Sequence, residues 1–303
     1  MFKDPLMAQP CQPKVTATPQ GGLLMSSRLG GRVRVVESWY GADPESFDGC
    51  DLWVSHQRPQ PVSPGRWLYF YTIHVDLTLE PDVLLSNMRK NTSREIRNAQ
   101  DRDGLSCLIN PTPSNGDLED YAAFYDANPR TQDQAPLEMV RLRMLAKAGL
   151  VHLARVSDAE GTVLAQHCLL SHQRSDTIQL SSLVSLHHGD EHKSRGSAIG
   201  RANRWLFYRE FLFYKERGFR IYDLNGWYAG TEDEKRLKIN LFKEGFRGKI
   251  LYGYDCEEPV SLKGKAYLVL QSAKRRLFQP EKVKDLERRR QKAPRLLDAE
   301  ELE

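Results

Sequence analysis

The order of elements between residues 136 and 255 constrains the fold more than any other feature of the chain. PLEMVRLRMLAKAG (136–149) opens on Pro and closes on Gly, the asymmetry expected of helix ends. Three β-rich runs follow, LVHLARV, TVLAQHCLLSH and DTIQLSSLVSL, parted only by SDAEG and QRS, so hairpins are the economical connection. A polar loop, HHGDEHKSRGSAIG, then leads into ANRWLFYREFLFYKERG. Its aromatics, Trp205, Phe207, Tyr208, Phe211, Phe213 and Tyr214, recur mostly at the spacing of a helix packed on a sheet. A strand RIYDL, the helix EKRLKINLFKEG and a strand KILYGYD complete the run. The order α, β, β, β, α, β, α, β predicts an α/β fold with a mixed sheet.

The first half is less regular. Residues 1–30, rich in Pro, Gln, Thr, Ser and Gly, read as a flexible N-terminal arm. RVRVVES (32–38) and the aromatic WLYFYTIHVDL (67–77) predict strands. Leu84, Met88, Ile96 and Ala99 form a broken helical stripe closed by Gly104. LSCLI predicts a short strand, and DLEDYAAFYDAN a helix ended by Asn128 and Pro129. This layout reads as a worn copy of the second half, giving units at 31–135 and 136–256, then a basic helical tail at 257–303.

Composition removes several classes. With 28% charged and 40% hydrophobic residues the chain is ordinary soluble protein, and no apolar run reaches the ~20 residues of a membrane span. The start, MFKDPLMAQPCQPK, lacks the apolar segment of a secretory signal, which places the protein in the cytoplasm. Five cysteines without CxxC spacing read as reduced thiols, with Cys168 a core residue. The histidines lack metal-ligand spacing, and His187 and His188, adjacent on a strand, point to opposite faces.

Chemistry has three candidate locations. Lys193, Arg195, Gly196, Ser197 and Ala198 sit where a loop enters a helix; small residues admit a close backbone approach, and free N–H groups at a helix start attract phosphate oxygens. An ordinary loop-to-helix junction explains the same residues equally well. In MRKNTSREIRNA, Arg94 and Arg97, with Arg89 and Lys90, fall on one or two helical faces where they can converge on an anion or simply meet water. In RIYDLNGWYAG, Asp223 ends a strand, where it can orient or deprotonate an amine or else form an Asx turn with Asn225 and Gly226.

One of these segments, MRKNTSREIRNA, and a further one, INLFKEGFRGKILYGY, carry a family resemblance. A strand ending in VDL, followed by xxxMRKxxSREIRNAxxxGL, resembles the first half of the Fem-type transferases, tRNA-dependent enzymes that add amino acids to peptidoglycan precursors. It also resembles the wider Fem-like branch of the GNAT acyltransferases found with envelope-biosynthesis genes. INLFKEGFRGKILYGY (239–254) resembles that branch's Phe-Lys pair at the end of the last helix. The resemblance implies a GNAT-like fold of two tandem units, the first incomplete, and the Lys193–Ala198 loop then approximates the family's pyrophosphate loop, with Lys in place of the usual Arg or Gln.

It further implies N-acyl transfer to an amine-bearing acceptor, with Phe242 and Lys243 beside the acyl carbonyl and Asp223, Trp227 and Tyr228 lining the acceptor side of a V-shaped cleft. No cofactor is expected to be tightly bound; acyl-CoA, acyl-carrier protein or aminoacyl-tRNA serves as co-substrate. By local physics, Phe242 is equally a core residue on the Leu237 and Leu241 face, and Lys243 a lysine meeting its own helix dipole. The chain is shorter than typical peptidoglycan Fem enzymes and shows no long inserted helical hairpin, which favours a thioester donor over tRNA. A scaffold without activity, binding RNA or an envelope enzyme, is the third reading. The tail, with KRR at 274–276 and RRR at 288–290, is an exposed charged helix, a contact for anionic membrane lipid, or a contact for RNA.

Overall fold

A computed structural model describes residues 24–28, 31–41, 43–44, 46–62, 65–128, 137–186 and 196–278. Two compact units divide the chain: unit 1 takes residues 1–70 and 252–303, and unit 2 takes residues 71–251. The expected boundary near residue 135 is therefore not where the chain divides. The reason is pairing: strand β5 (Ser106–Asn110) from the first half lies antiparallel to β6 (Val151–Ser157) from the second.

Unit 2 contains the first seven of the eight predicted elements in order: α4 (Met139–Lys147), β6, β7 (Val163–His172), β8 (Thr177–Ser185), α5 (Gly196–Glu216), β9 (Ile221–Asp223) and α6 (Glu234–Glu244); the eighth, the closing strand, is shared with unit 1. It also takes the end of β4 (Arg66–Asp76), α1 (Pro81–Asn87), α2 (Lys90–Arg102), α3 (Asn115–Asp126) and the start of β10 (Lys249–Pro259). The strands run β4-β9-β8-β7-β6-β5, with β8 and β9 parallel and β9 antiparallel to β4. Helix α5 supplies the centre of the core. Leu206, Phe207, Phe211 and Tyr214 are fully buried and Trp205 and Tyr208 nearly so, packed with Tyr222 and Phe246, each large side chain contributing about 1.5–3 kcal/mol. Cys168 lies within this unit's sheet, where burial pushes its thiol up to about 12, so it is a packing residue and a poor nucleophile.

The broken stripe at 84–99 is two helices. Met88 interrupts them with extended backbone (φ −64°, ψ 157°) while its side chain stays in the core, and the next amide, Arg89 N–H, donates to Gly245 O at 2.9 Å.

Unit 1 is built from β1 (Leu24–Arg28), β2 (Val33–Trp39), β3 (Leu52–Arg58), the end of β10, the start of β4, and helix α7 (Leu262–Phe278). β1 is antiparallel to β2, β2 parallel to β3, and β3 antiparallel to β10. β1 corrects part of the expected arm, since Leu24–Arg28 pairs with Arg34–Glu37 and Val33 as regular sheet. Val33, Val35, Leu52 and Val54 form a small core capped by Leu268 of α7. Of the expected helical tail at 257–303, residues 257–259 are instead the end of strand β10, and α7 follows, packed on its own unit; residues 279–303, the rest of the expected arm, and His187 and His188 lie outside the described residues.

Candidate active site

All of the site's geometry lies in unit 2. Parallel pairing of β8 with β9 covers only Thr177↔Ile221, Ile178↔Tyr222 and Gln179↔Asp223, after which β9 ends and β8 continues to Ser185. The β7–β8 register skips Ser181, a bulge that leaves this residue without a ladder partner two positions past Gln179, the last β8 residue paired with β9. Asn225, in left-handed backbone (φ 58°), spans the start of the gap: its side-chain amide donates to Leu180 O at 2.8 Å.

Lys243 reaches into this region from α6. It is 7% exposed, and its Nζ donates to Asn225 O at 2.7 Å and Gly226 O at 2.8 Å. The expectation that it meets the end of its own helix is thus set aside: its partners belong to the loop after β9. Burial lowers the ammonium to about 8, a shift that the Asp223 carboxylate opposes. An ammonium has three N–H donors, and among the described residues hydrogen bonds account for two of Lys243's.

Asp223 is fully buried. It accepts hydrogen bonds from the Thr72 hydroxyl, from Asn225 N–H at 2.6 Å and from the Gln179 amide at 3.5 Å, and His74 Nε2 stands 3.6 Å away. The Asx turn with Asn225 is therefore present, and around it is a buried polar network joining β4, β8 and β9. A carboxylate enclosed in this way fixes the loop that Lys243 holds, through its bond from Asn225 N–H.

The two sequence segments separated by more than a hundred residues meet here. Arg89, at the start of α2, donates to Glu244 Oε2 at 2.9 Å, and Trp227 Nε1 donates to Glu244 Oε1 at 3.0 Å. Gly245 and Gly248, two of the three glycines of INLFKEGFRGKILYGY, are sites of close approach. A Cβ on Gly245 would strike Thr92 Oγ1, and one on Gly248 would lie 2.7 Å from His74 O and 2.5 Å from Ile73 Cγ2. Gly245 has ordinary helical φ (−56°), and the left-handed position of the turn is Arg247 (φ 57°). Packing, not turn conformation, requires these two glycines.

No protein-family model and no curated protein matches the chain. Solved structures do. FemX superposes with a TM-score of 0.56 at 11% identity, over 82% of this chain and 85% of FemX. The C-terminal domain (DUF2156) of a protein assigned as a lysylphosphatidylglycerol synthetase, from Agrobacterium fabrum, superposes with a TM-score of 0.50 at 13% identity, over 82% of this chain and 88% of that domain. The chain shares the fold of FemX.

Within the Fem-like fold the remaining candidates separate. Phe242 is partly buried and packs against the core, its ring 5.9 Å from Phe207 and 5.6 Å from Phe246, with the Arg204 guanidinium 4.8 Å above it. Leu241 is exposed, so the helix face named for Phe242 at the sequence level is not the buried one. Trp227 rests on Tyr71 at 6.1 Å, and Tyr228 exchanges two hydrogen bonds with the Asn240 side chain, 2.9 and 2.7 Å. Arg94 and Arg97 lie on the exposed face of α2, Arg94 bonded to Asn91 and 3.9 Å from Glu95, and do not converge with Arg89. Gly196, Ser197 and Ala198 form the first turn of α5, whose amides have no intrahelical acceptor; Lys193 and Arg195 lie outside the described residues.

Sequence reasoning passed over Thr72, His74, Gln179, Glu244 and Arg204. The available signal was the presence of hydrogen-bonding side chains inside apolar strands, Thr72 and His74 in WLYFYTIHVDL and Gln179 in DTIQLSSLVSL.

Proposed function

We propose that the chain is an N-acyltransferase that moves an acyl group from a thioester, acyl-CoA or acyl-carrier protein, to an amine-bearing acceptor in envelope or polysaccharide biosynthesis. The observation that carries this reading is Lys243, a buried ammonium that spends two N–H donors on the Asn225–Gly226 backbone and keeps one, beside the parting of β8 and β9. The acceptor's nitrogen lone pair attacks the donor's carbonyl carbon. Negative charge gathers on the carbonyl oxygen, where a fixed cation in a dry site lowers the barrier. The C–S bond then breaks, the thiol leaves, and the amine's proton passes to solvent or the thiolate.

In this reading Asp223, with Thr72 and Gln179, is a positioning residue for the 225–226 carbonyls. Trp227 and Tyr228, pinned by Glu244 and Asn240, form the acceptor side, and the first turn of α5 faces the donor's phosphates. Phe242, packed against the core, sets the position of Lys243.

A second reading, transfer of an aminoacyl group from aminoacyl-tRNA, is favoured by one observation. The superposition takes in 85% of FemX, so chain length does not separate this protein from that one. The test is thermal shift with acetyl-CoA, longer acyl-CoAs, acyl-carrier protein and charged tRNA in turn. Stabilisation by a thioester donor, lost in Gly196→Trp, supports the first reading; a shift with charged tRNA alone replaces it with the second; silence from every donor refutes both.

A further inference from the structure

Helix α7 is apolar on two faces. One is buried in unit 1: Leu268 joins the Val33, Val35, Leu52 and Val54 core, Tyr267 packs against it, and Gly264 abuts the Asp51 backbone. The other carries Leu262, Ala266, Val269, Leu270, Ala273 and Leu277. At about 100° per residue these six fall within an arc of about 100°, a full amphipathic stripe. It faces outward: Leu262, Val269, Leu270 and Leu277 are 83, 68, 66 and 75% exposed.

The stripe is edged by cations. Lys263 and Lys274 follow one border and Lys265 the other, all exposed, and the helix from Leu262 to Phe278 contains no carboxylate. Lys263 also stands 3.6 Å from Asp51 Oδ2.

The charge pattern selects among occupants. RNA offers phosphates but no hydrocarbon for the stripe. A second copy of the same face brings lysine borders against lysine borders with no acidic residue on either helix. A lipid surface offers both parts, acyl chains beneath anionic headgroups. We propose that α7 is an interfacial helix that seats unit 1 on an anionic lipid bilayer, with the apolar stripe at the acyl boundary and Lys263, Lys265 and Lys274 among the headgroups. This surface is independent of the acyl-transfer reading.

Co-sedimentation of the full chain with phosphatidylcholine vesicles, with and without phosphatidylglycerol, tests the proposal. The protein binds the phosphatidylglycerol vesicles, and added salt weakens the binding. Val269→Ser with Leu270→Ser weakens it at least about tenfold. Lys265→Gln with Lys274→Gln weakens it about 25-fold, about fivefold per cation. All four side chains are exposed, so circular dichroism and melting temperature stay at wild-type values. Three results overturn the proposal: no binding to anionic vesicles at low salt, binding unaffected by the serine pair, or a wild-type dimer that the serine pair dissociates while no vesicle binding is seen.

Discussion

Replacing Lys243 by Met separates two consequences of one buried ammonium. Lys243 titrates at about 8 in the folded protein against 10.5 for a free lysine, because burial disfavours the charge more than Asp223 supports it. That difference is worth on the order of 3 kcal/mol at about 1.4 kcal/mol per pH unit. Between pH 8 and 10.5 the unfolded chain holds this proton and the folded chain does not. Wild-type stability therefore rises with pH across that window by up to about 3 kcal/mol relative to a variant without the amine. For a unit of this size, about 3 kcal/mol is roughly 6–12 °C in melting temperature.

At pH 7 the substitution relieves the desolvation cost and loses the bonds to Asn225 O and Gly226 O, about 1.5–3 kcal/mol each, so the net destabilisation is only about 0–3 kcal/mol. Thermal unfolding of wild type and Lys243→Met in half-unit steps from pH 7 to 10.5 measures the difference directly, since every other titrating group is common to both. A melting-temperature difference that stays constant over this range would falsify the argument that the ammonium is buried.

Three further outcomes are expected. Gly248→Ala places a methyl against Ile73 and the His74 carbonyl and costs about 1–3 kcal/mol in chemical denaturation; an unchanged midpoint refutes the close approach. Asp223→Asn cannot accept all the donors of Thr72, Asn225 and Gln179, so it destabilises unit 2 by about 2–4 kcal/mol and raises KM or lowers kcat through the displaced loop; wild-type stability would show that the network is not closed. In unit 1, burial of His56 is outweighed by Asp255 and Glu37, which hold its imidazole at about 9. Its contribution, about 2–3 kcal/mol, is complete below pH 6.5 and lost as pH rises through 9; His56→Gln removes that slope, and a wild-type slope in the variant refutes the ion pairs.

The α/β order of unit 2 was legible because each element carried its own signal: Pro and Gly at helix ends, β-branched hairpins, and aromatics at core spacing in α5. What was not legible depended on contacts between distant segments. Nothing local in VLLSNMRKN breaks a helix at Met88; the break exists because Arg89 N–H is taken by Gly245. β3, LWVSHQR, lies among polar and turn-forming residues, and only its pairing with β2 and β10 makes it a strand. The division into units was hidden for the same reason, since β5 joins β6 across the middle of the sequence.

At the site, the Phe-Lys pair and the arginine-rich segment could be singled out by pattern, but their roles diverged in space. Lys243 is buried against a loop, Phe242 lies partly buried against the core, and Arg89 is bonded to Glu244 of the Lys243 helix while Arg94 and Arg97 are exposed. The Asx turn with Asn225, two positions away, was legible, but the rest of the buried carboxylate network was missed because Thr72 and Gln179 are 151 and 44 positions from Asp223.

The most direct measurement is thiol release from acyl-CoA and acyl-carrier-protein thioesters, with and without amine acceptors, in wild type and Lys243→Met. The predicted result is release that requires the amine, accompanied by acylated product, and a fall of about 10²–10³-fold in turnover in Lys243→Met while its fold is retained. Amine-dependent release at the wild-type rate in Lys243→Met would remove Lys243 from the reaction, and transfer from aminoacyl-tRNA with none from any thioester would replace the donor assigned here.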